Sequence, residues 1–366
     1  MIDLTINKNF DVKHLDLIKS KNYKTIYKKN CEVCKKNKFT LLQSAGRIGK
    51  PLQYGALKVF ICNNCSFKFL NPRYVDSFYK NYYKFNYRKI AFGTFKPSKN
   101  YIKFQKKRGK NIYNYFNKFL VKSGSILDHG CASGSTMLPW REKKWECTGI
   151  DPHVPSVNYG TKKFKLDIRV AFGEKLPFKN KKFDVVLSLG SLEHSYDLQK
   201  TINEIRRTLK DSGHLIIRWR SNKLIGSPLE YFNHNHYRFF NKTSFNFFLM
   251  KNNFKVIKHI NKPIEGYKSY LYILAQKNYN KRIKKVNNYV YKKEIKYLKK
   301  YINKYYFLSK KILKLELDNF NSNKKKKFIK KNNIHLLNIG KKNAIERFFS
   351  EISAFINFIK KYNYIP

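Results

Sequence analysis

The chain has 366 residues, enough for two domains. It is 42% hydrophobic and 16% aromatic, so it can fill a core, and no stretch reaches the roughly 18 consecutive apolar residues of a membrane span. The formal net charge of +55 disfavours cationic ligands.

That charge has two readings. One is a polyanionic partner: nucleic acid, an anionic glycan or an acidic membrane surface. The other is compositional drift, because most of the cations are lysine and Asn, Ile, Tyr and Phe are also abundant. The first residues, Met1 to Lys13, mix charges with apolar side chains and lack the apolar core of a secretory signal, so the expected location is cytoplasmic.

Two Cys-x-x-Cys pairs open the chain, Cys31/Cys34 and Cys62/Cys65, with 27 residues between them. In a chain expected in a reducing compartment this pattern reads as metal binding before disulfides. Each pair forms a knuckle that aims two thiolates at one point, and two knuckles give the tetrahedral sulfur set that Zn²⁺ prefers. The expectation is a structural zinc ribbon over 25–75, with strands Leu57–Ile61 and Phe67–Leu70 and a strand leading into each knuckle. A redox role for one pair is the alternative.

Residues 76–120 are rich in aromatics and lysines and read as a helical linker or lid. Those aromatics either pack or stack on sugars and bases. Next comes Ser125-Ile-Leu-Asp-His-Gly-Cys-Ala-Ser-Gly134: a strand, a glycine turn and then a helix from Met137. This is the first unit of a nucleotide-binding α/β sheet, although a short glycine pattern alone is weakly specific. The second strand, Cys147–Ile150, ends at Asp151, 21 residues after Gly130. A carboxylate there can accept from both ribose hydroxyls; its alternative role is a turn or helix cap.

Further strands are expected at Leu166–Val170, Phe183–Leu189, His214–Trp219, Phe254–Ile257 and Tyr270–Leu274. Leu198, Ile202, Ile205 and Leu209 recur at helical spacing, with Gly213 as the expected C-cap. A second helix is expected over 241–253.

Residues 125–276 resemble the seven-stranded, Rossmann-like class I S-adenosylmethionine-dependent methyltransferases, an α/β fold whose seventh strand is antiparallel. The features that carry this are the glycine loop, Asp151, Gly-Glu-x-Leu-Pro-Phe at 173–178, Phe183-Asp-Val-Val, Leu192-Glu-His194 and Leu-Lys-x-x-Gly at 209–213. With the cysteine ribbon and Phe69-Leu-Asn-Pro-Arg73, the whole is similar to zinc-ribbon methyltransferases that modify sugars and surface polysaccharides. The domain is expected over 121–277.

The resemblance implies S-adenosylmethionine as cofactor. Asp128 would lie near its methionine part, Gly130, Ala132 and Gly134 would line its cradle, and Asp151 would hold the ribose. Phe172 stands where the family brings an Asp to the adenine, so the Gly173 backbone or Glu174 would substitute; Ser188 completes the expected cofactor set.

Methyl transfer to a hydroxyl needs a positioned base. Glu193 and His194 follow the fourth strand, and the 230–237 segment carries His234 and His236 after the fifth. His236 matches the histidine the family has before its aromatic pair, so it is the first candidate for base or acceptor-positioning residue, with His194 second and Glu193 beside them. The alternative is that these histidines only bond loop backbone. A His-x-His metal site has no evident third ligand.

The tail, 278–366, holds 24 basic and 5 acidic residues. It reads as a helical extension with a charged break at Lys324–Lys327 and a last helix over 344–359. It is either a helical appendage or oligomer surface, or a basic arm for an anionic polymer or membrane face. The expected function is methylation of a sugar, sugar nucleotide or polysaccharide-precursor hydroxyl. The alternatives are an RNA methyltransferase using ribbon and basic surface, and a non-catalytic nucleic-acid-binding protein.

Overall fold

The computed structural model describes residues 25–47, 54–220, 231–261, 264, 270–277, 288–313, 322–331, 346, 348–350 and 352–353. Glu230 and most of the helix expected over 344–359 lie outside them.

Two strands, β1 (Thr25–Ile26) and β5 (Arg73–Tyr74), pair antiparallel and bracket the cysteine segment. Between them run β2 (Phe39–Arg47), β3 (Tyr54–Cys62) and β4 (Lys68–Leu70). Only the second knuckle is led by a strand: β3 runs into Cys62, whereas irregular chain precedes Cys31 and β2 follows Cys34. Each knuckle closes its own turn by backbone bonds, Lys35 N to Cys31 O and Ser66 N to Cys62 O, both 2.9 Å.

The four-stranded ribbon sheet, in order β11-β4-β3-β2, is completed from far along the chain by β11 (Arg238–Phe239). The ribbon therefore shares a core with the rest of the protein. Val33, Phe67 and Phe69 belong to the same buried cluster as Leu127, Val186, Ile202 and Trp219.

Helices α1 (Asp76–Asn81), α2 (Tyr87–Phe92) and α3 (Lys99–Phe116) follow. The Ser98 side chain accepts the Tyr101 amide and starts α3, and Gly109 lets α3 press against the Thr136 carbonyl, where a Cβ would come within 2.0 Å.

The central sheet has seven strands in the order β12-β13-β10-β9-β6-β7-β8. They are β6 (Ser125–His129), β7 (Glu146–Asp151), β8 (Asp167–Val170), β9 (Phe183–Leu189), β10 (Leu209–Arg220), β12 (Phe254–Ile260) and β13 (Tyr270–Lys277). All pairings are parallel except those of β13, which runs antiparallel to both β10 and β12. This is the expected α/β architecture. β6 is buried along its full length and β9 nearly so, as parallel strands covered on both faces require.

Short α4 (Leu138–Arg141), α5 (Val154–Phe164), α6 (Leu198–Thr208) and α7 (Lys242–Lys251) cover the sheet. In α6 the periodic Leu198, Ile202 and Ile205 face the core, and the Asp197 side chain caps the first turn through the Lys200 amide. The expected glycine cap is corrected: α6 ends at Thr208, Leu209 is already extended, and the left-handed residue of the turn is Ser212. Asn241 and Ser244 form a reciprocal capping box that opens α7.

In the tail, α8 (Asn288–Leu313) lays the buried Leu298 on the ribbon cluster, and Glu294 pairs with the buried Lys68 at 2.7 Å. The expected break at Lys324–Lys327 is instead inside α9 (Ser322–Lys331), in keeping with the good helix propensity of lysine. Among the described residues no helix is long and apolar enough to cross a membrane.

Candidate active site

The strand order reverses between β6 and β9, and ligands of open α/β sheets bind at the carboxyl ends of the strands there. A cavity of about 450 Å³ lies at this point, within the size range of small-molecule sites. One side is built by the turn after β6 and the ends of β7 and β8. The other is built by the segment after β9, by His236 and by α1 to α3.

Of the expected cofactor residues, Gly130, Ala132, Asp151, Phe172, Gly173 and Glu174 line the cavity. Gly130 has φ +83°, and a Cβ on it would come within 2.6 Å of Ser191 Cβ, so only glycine fits this bend. Gly173 permits a close approach of a different kind, since a Cβ there would stand 2.2 Å from His129 Nε2.

Asp151 accepts the Ala132 amide at 2.8 Å on one oxygen and the His153 amide at 2.9 Å on the other. A carboxylate offers about four lone-pair sites, so capacity for two ribose hydroxyls remains. Burial raises its pKa against the pull of those two amides.

Asp128, Gly134 and Ser188 are not among the residues lining the cavity. At Gly134, φ +73°, a Cβ would meet Ile168, Leu166 and Met137 within 2.9 Å, so the position admits only glycine. Ser188 is fully buried and bonds Ser191 Oγ at 2.9 Å. Asp128 is buried, its Oδ1 has no hydrogen-bond partner among the described residues, and burial pushes its carboxyl to about 7 while the Arg108 guanidinium pulls the other way.

The three acceptor-side candidates converge. Glu193, His194 and His236 line the cavity and offer ligand atoms that all lie within 4.8 Å of one another. Glu193 thus stands where the sequence showed no third polar partner for a histidine pair. The pair is His194 with His236, ring centroids 4.5 Å apart, rather than His234 with His236. His234 is buried edge-on against Tyr82.

The hydrogen-bond network assigns the tautomers. The Asn235 carbonyl can only accept, and it lies 2.8 Å from His194 Nδ1 and 2.6 Å from Tyr83 Oη. His194 therefore carries its proton on Nδ1, and Nε2 holds a lone pair. Burial lowers the His194 pKa, which favours the neutral ring. In His236 the assignment is opposite. Asn233 Oδ1 accepts the His236 amide at 3.0 Å, so its Nδ2 faces His236 Nδ1 at 3.2 Å and donates to it. His236 Nε2 then bears the proton.

Tyr83 belongs to the aromatics expected either to pack or to stack on sugars, whereas the arginines that line the cavity carry no sequence signal. Tyr83, Arg88 and Arg108 come from α1 to α3 and the turn between them, and Arg218 comes from β10. Arg88 stacks on Tyr101 at 4.5 Å and Arg218 on Tyr270 at 3.4 Å. His129 was also passed over: its Nδ1 bonds Ser191 Oγ at 2.9 Å, and burial lowers its pKa to about 4.

At the ribbon, Cys31, Cys34, Cys62 and Cys65 place all four sulfurs within 4.8 Å of one another. Cys31 to Cys65 is 3.7 Å and Cys34 to Cys62 is 3.5 Å. Zn–S bonds of about 2.3 Å in a tetrahedron put sulfurs about 3.8 Å apart, a spacing close to these two distances, so the donor set is of the kind and size that suits Zn²⁺.

Residues 127–217 match the family model described as a methyltransferase domain. The chain is 34% identical over 95 residues to an uncharacterized protein of Methanocaldococcus jannaschii, covering 25% of this chain and 36% of that one. It is 32% identical over 117 residues to the sterol 4-C-methyltransferase strm-1 of Caenorhabditis elegans, covering 30% and 35%. The chain thus spans about a third of the length of these curated relatives. A solved SAM-dependent methyltransferase from Aquifex aeolicus aligns at 18% identity and a TM-score of 0.40, over 50% of this chain and 99% of that one. Cavity, sheet order and the match over residues 127–217 together support a methyltransferase domain of the S-adenosylmethionine-dependent kind.

Proposed function

We propose that the protein transfers a methyl group from S-adenosylmethionine to a hydroxyl of a sugar, sugar nucleotide or polysaccharide precursor. The observation that carries this is the complementary His194–His236 pair in the same cavity as Asp151 and the Gly130 bend.

The bound cofactor supplies a methyl on a cationic sulfur that is already a good leaving group. His236 Nε2–H donates to the acceptor oxygen and orients it. His194 Nε2 would take the hydroxyl proton as that oxygen becomes methylated, and the cofactor would leave as S-adenosylhomocysteine. The Asn235 carbonyl steadies the imidazolium that forms on His194. This makes His194 the base and His236 the acceptor-positioning group, the second of the two roles the sequence suggested for His236. Tyr79, Tyr83 and Tyr87 offer aromatic faces to a sugar ring, and Lys80, Arg88 and Arg218 suit an anionic substituent such as a diphosphate.

Zn²⁺ held by Cys31, Cys34, Cys62 and Cys65 has no open position, so its role is to fold the ribbon. RNA is the competing acceptor, favoured by the exposed lysines of α8, Lys292, Lys293, Lys296, Lys299 and Lys300. The test offers the purified protein labelled cofactor with a panel of nucleotide sugars or with bulk RNA. Label on a sugar nucleotide supports the reading; label on RNA alone overturns it.

A further inference from the structure

Glu32 lies between the two cysteines of the first knuckle, yet its carboxylate serves the catalytic side of the molecule. Arg73 reaches it with both guanidinium ends, Nη1 at 3.0 Å and Nη2 at 2.9 Å. Arg238 reaches it from the other side, Nε at 2.9 Å and Nη2 at 2.7 Å. Both arginine side chains are buried.

The same two guanidiniums also hold the loop after β9, Nη2 of each being shared between Glu32 and that loop. Arg238 Nη1 donates to the Ser195 carbonyl, and Arg238 Nη2 donates to the Tyr196 carbonyl at 2.8 Å. Arg73 Nη2 donates to the Tyr196 carbonyl at 3.2 Å. Tyr237, next to Arg238, donates its hydroxyl to the His194 carbonyl. Three consecutive carbonyls, of His194, Ser195 and Tyr196, are thereby fixed from one side. The Arg73 and Arg238 guanidiniums also lie over the Tyr237 ring, at 5.0 and 4.7 Å.

We propose that Glu32 is a positioning residue: through Arg73 and Arg238 it ties the cysteine knuckle to the loop that carries Glu193 and His194. A bidentate carboxylate between two planar forks fixes direction as well as distance. Without it the guanidiniums lose their orientation, and the loop carbonyls lose their donors. The knuckle then does more than fold itself, since displacement of Cys31 or Cys34 carries Glu32 with it. This explains why Arg73 closes the Phe69-Leu-Asn-Pro-Arg73 run. The inference deepens the methyl-transfer reading and rests on it for the purpose of the loop, but its geometry stands apart from the acceptor.

The test uses the full chain with its metal as purified. Hydrogen exchange read by mass spectrometry reports the amides of 192–197, and ¹⁵N chemical shifts report the His194 tautomer. Glu32→Gln is expected to speed exchange in that loop by about tenfold or more, with exchange in β6 and β9 unchanged. It is also expected to shift His194 from the pure Nδ1–H form toward a mixture. Glu32→Asp, which keeps the charge, is expected to restore much of both. A folded Glu32→Gln protein with loop exchange and tautomer like wild type overturns the proposal. Should Glu32→Gln not fold, Arg73→Lys decides: it keeps the charge but loses the fork, and a loop unchanged in that variant overturns the proposal equally. S-adenosylhomocysteine calorimetry on the wild type keeps the two readings separate. Absence of binding removes the methyl-transfer reading and leaves the exchange result to judge the clamp.

Discussion

His194 Nδ1 lies 2.8 Å from the Asn235 carbonyl oxygen, and Tyr83 Oη closes the triangle at 2.7 Å from the same nitrogen. Two segments distant in sequence thus set the tautomer of one ring. On an acceptor that the wild type methylates, His194→Ala is expected to lower kcat by about 10²–10⁴-fold, the usual worth of a general base. Affinity for S-adenosylhomocysteine is expected to stay unchanged. Tyr83→Phe leaves the Asn235 contact and is expected to cost about tenfold at most. A His194→Ala enzyme with wild-type kcat would remove the ring from the mechanism.

Asp128 gives a pH signature. Its folded carboxyl titrates near 7, above the 3.8 of an ordinary aspartate, with burial as the main cause. The folded state therefore binds this proton more tightly than the unfolded state does. The resulting stability is fully present below about pH 4 and is lost as pH rises through 7. Asp128→Asn cannot ionise. Relative to wild type, it is expected to gain stability steadily between about pH 4 and 8 in urea unfolding of the cofactor-free protein. Parallel wild-type and variant curves would contradict the assignment.

Gly173 and His129 form a steric pair. A methyl at Gly173 meets His129 Nε2 at 2.2 Å, and that ring is buried and cannot swing away freely. Gly173→Ala is expected to cost about 1–3 kcal/mol, the usual range for overpacking. In a His129→Ala background the cost is expected to fall by about half or more, because the nearest obstacle is gone and only Thr201 Cγ2, at 3.0 Å, still crowds the methyl. Equal costs in both backgrounds would place the clash elsewhere.

The four-sulfur set predicts one zinc per chain by elemental analysis. Cys62→Ser is expected to release it and to lower Tm by at least about 5 °C, as a loss of a few kcal/mol implies. A metal-free wild type with the same Tm would show that the ribbon needs no ion.

Much of the sheet was legible in sequence because its signals are local. Ile126–Leu127, Cys147–Ile150 and Phe183–Leu189 are apolar runs bounded by turn residues, and the α6 face keeps a helical period. The Gly130 bend and Asp151 belong to the same local grammar. What escaped depends on pairing across distance. β11 is two residues long and joins a ribbon strand from which it is separated by most of the catalytic domain. Glu32 and Arg238 are 206 positions apart. The tautomers of His194 and His236 follow from Asn235 and Asn233, whose side chains and carbonyls carry no pattern.

The central claim is that the Gly130 bend and Asp151 bind the adenosyl donor. Calorimetry of S-adenosylhomocysteine with wild type and Asp151→Ala tests it most directly. One site per chain is predicted, with affinity falling at least about tenfold in the variant, since two hydrogen bonds to a charged acceptor are lost. A folded wild type that takes up no ligand, or a variant that binds equally well, would contradict the account.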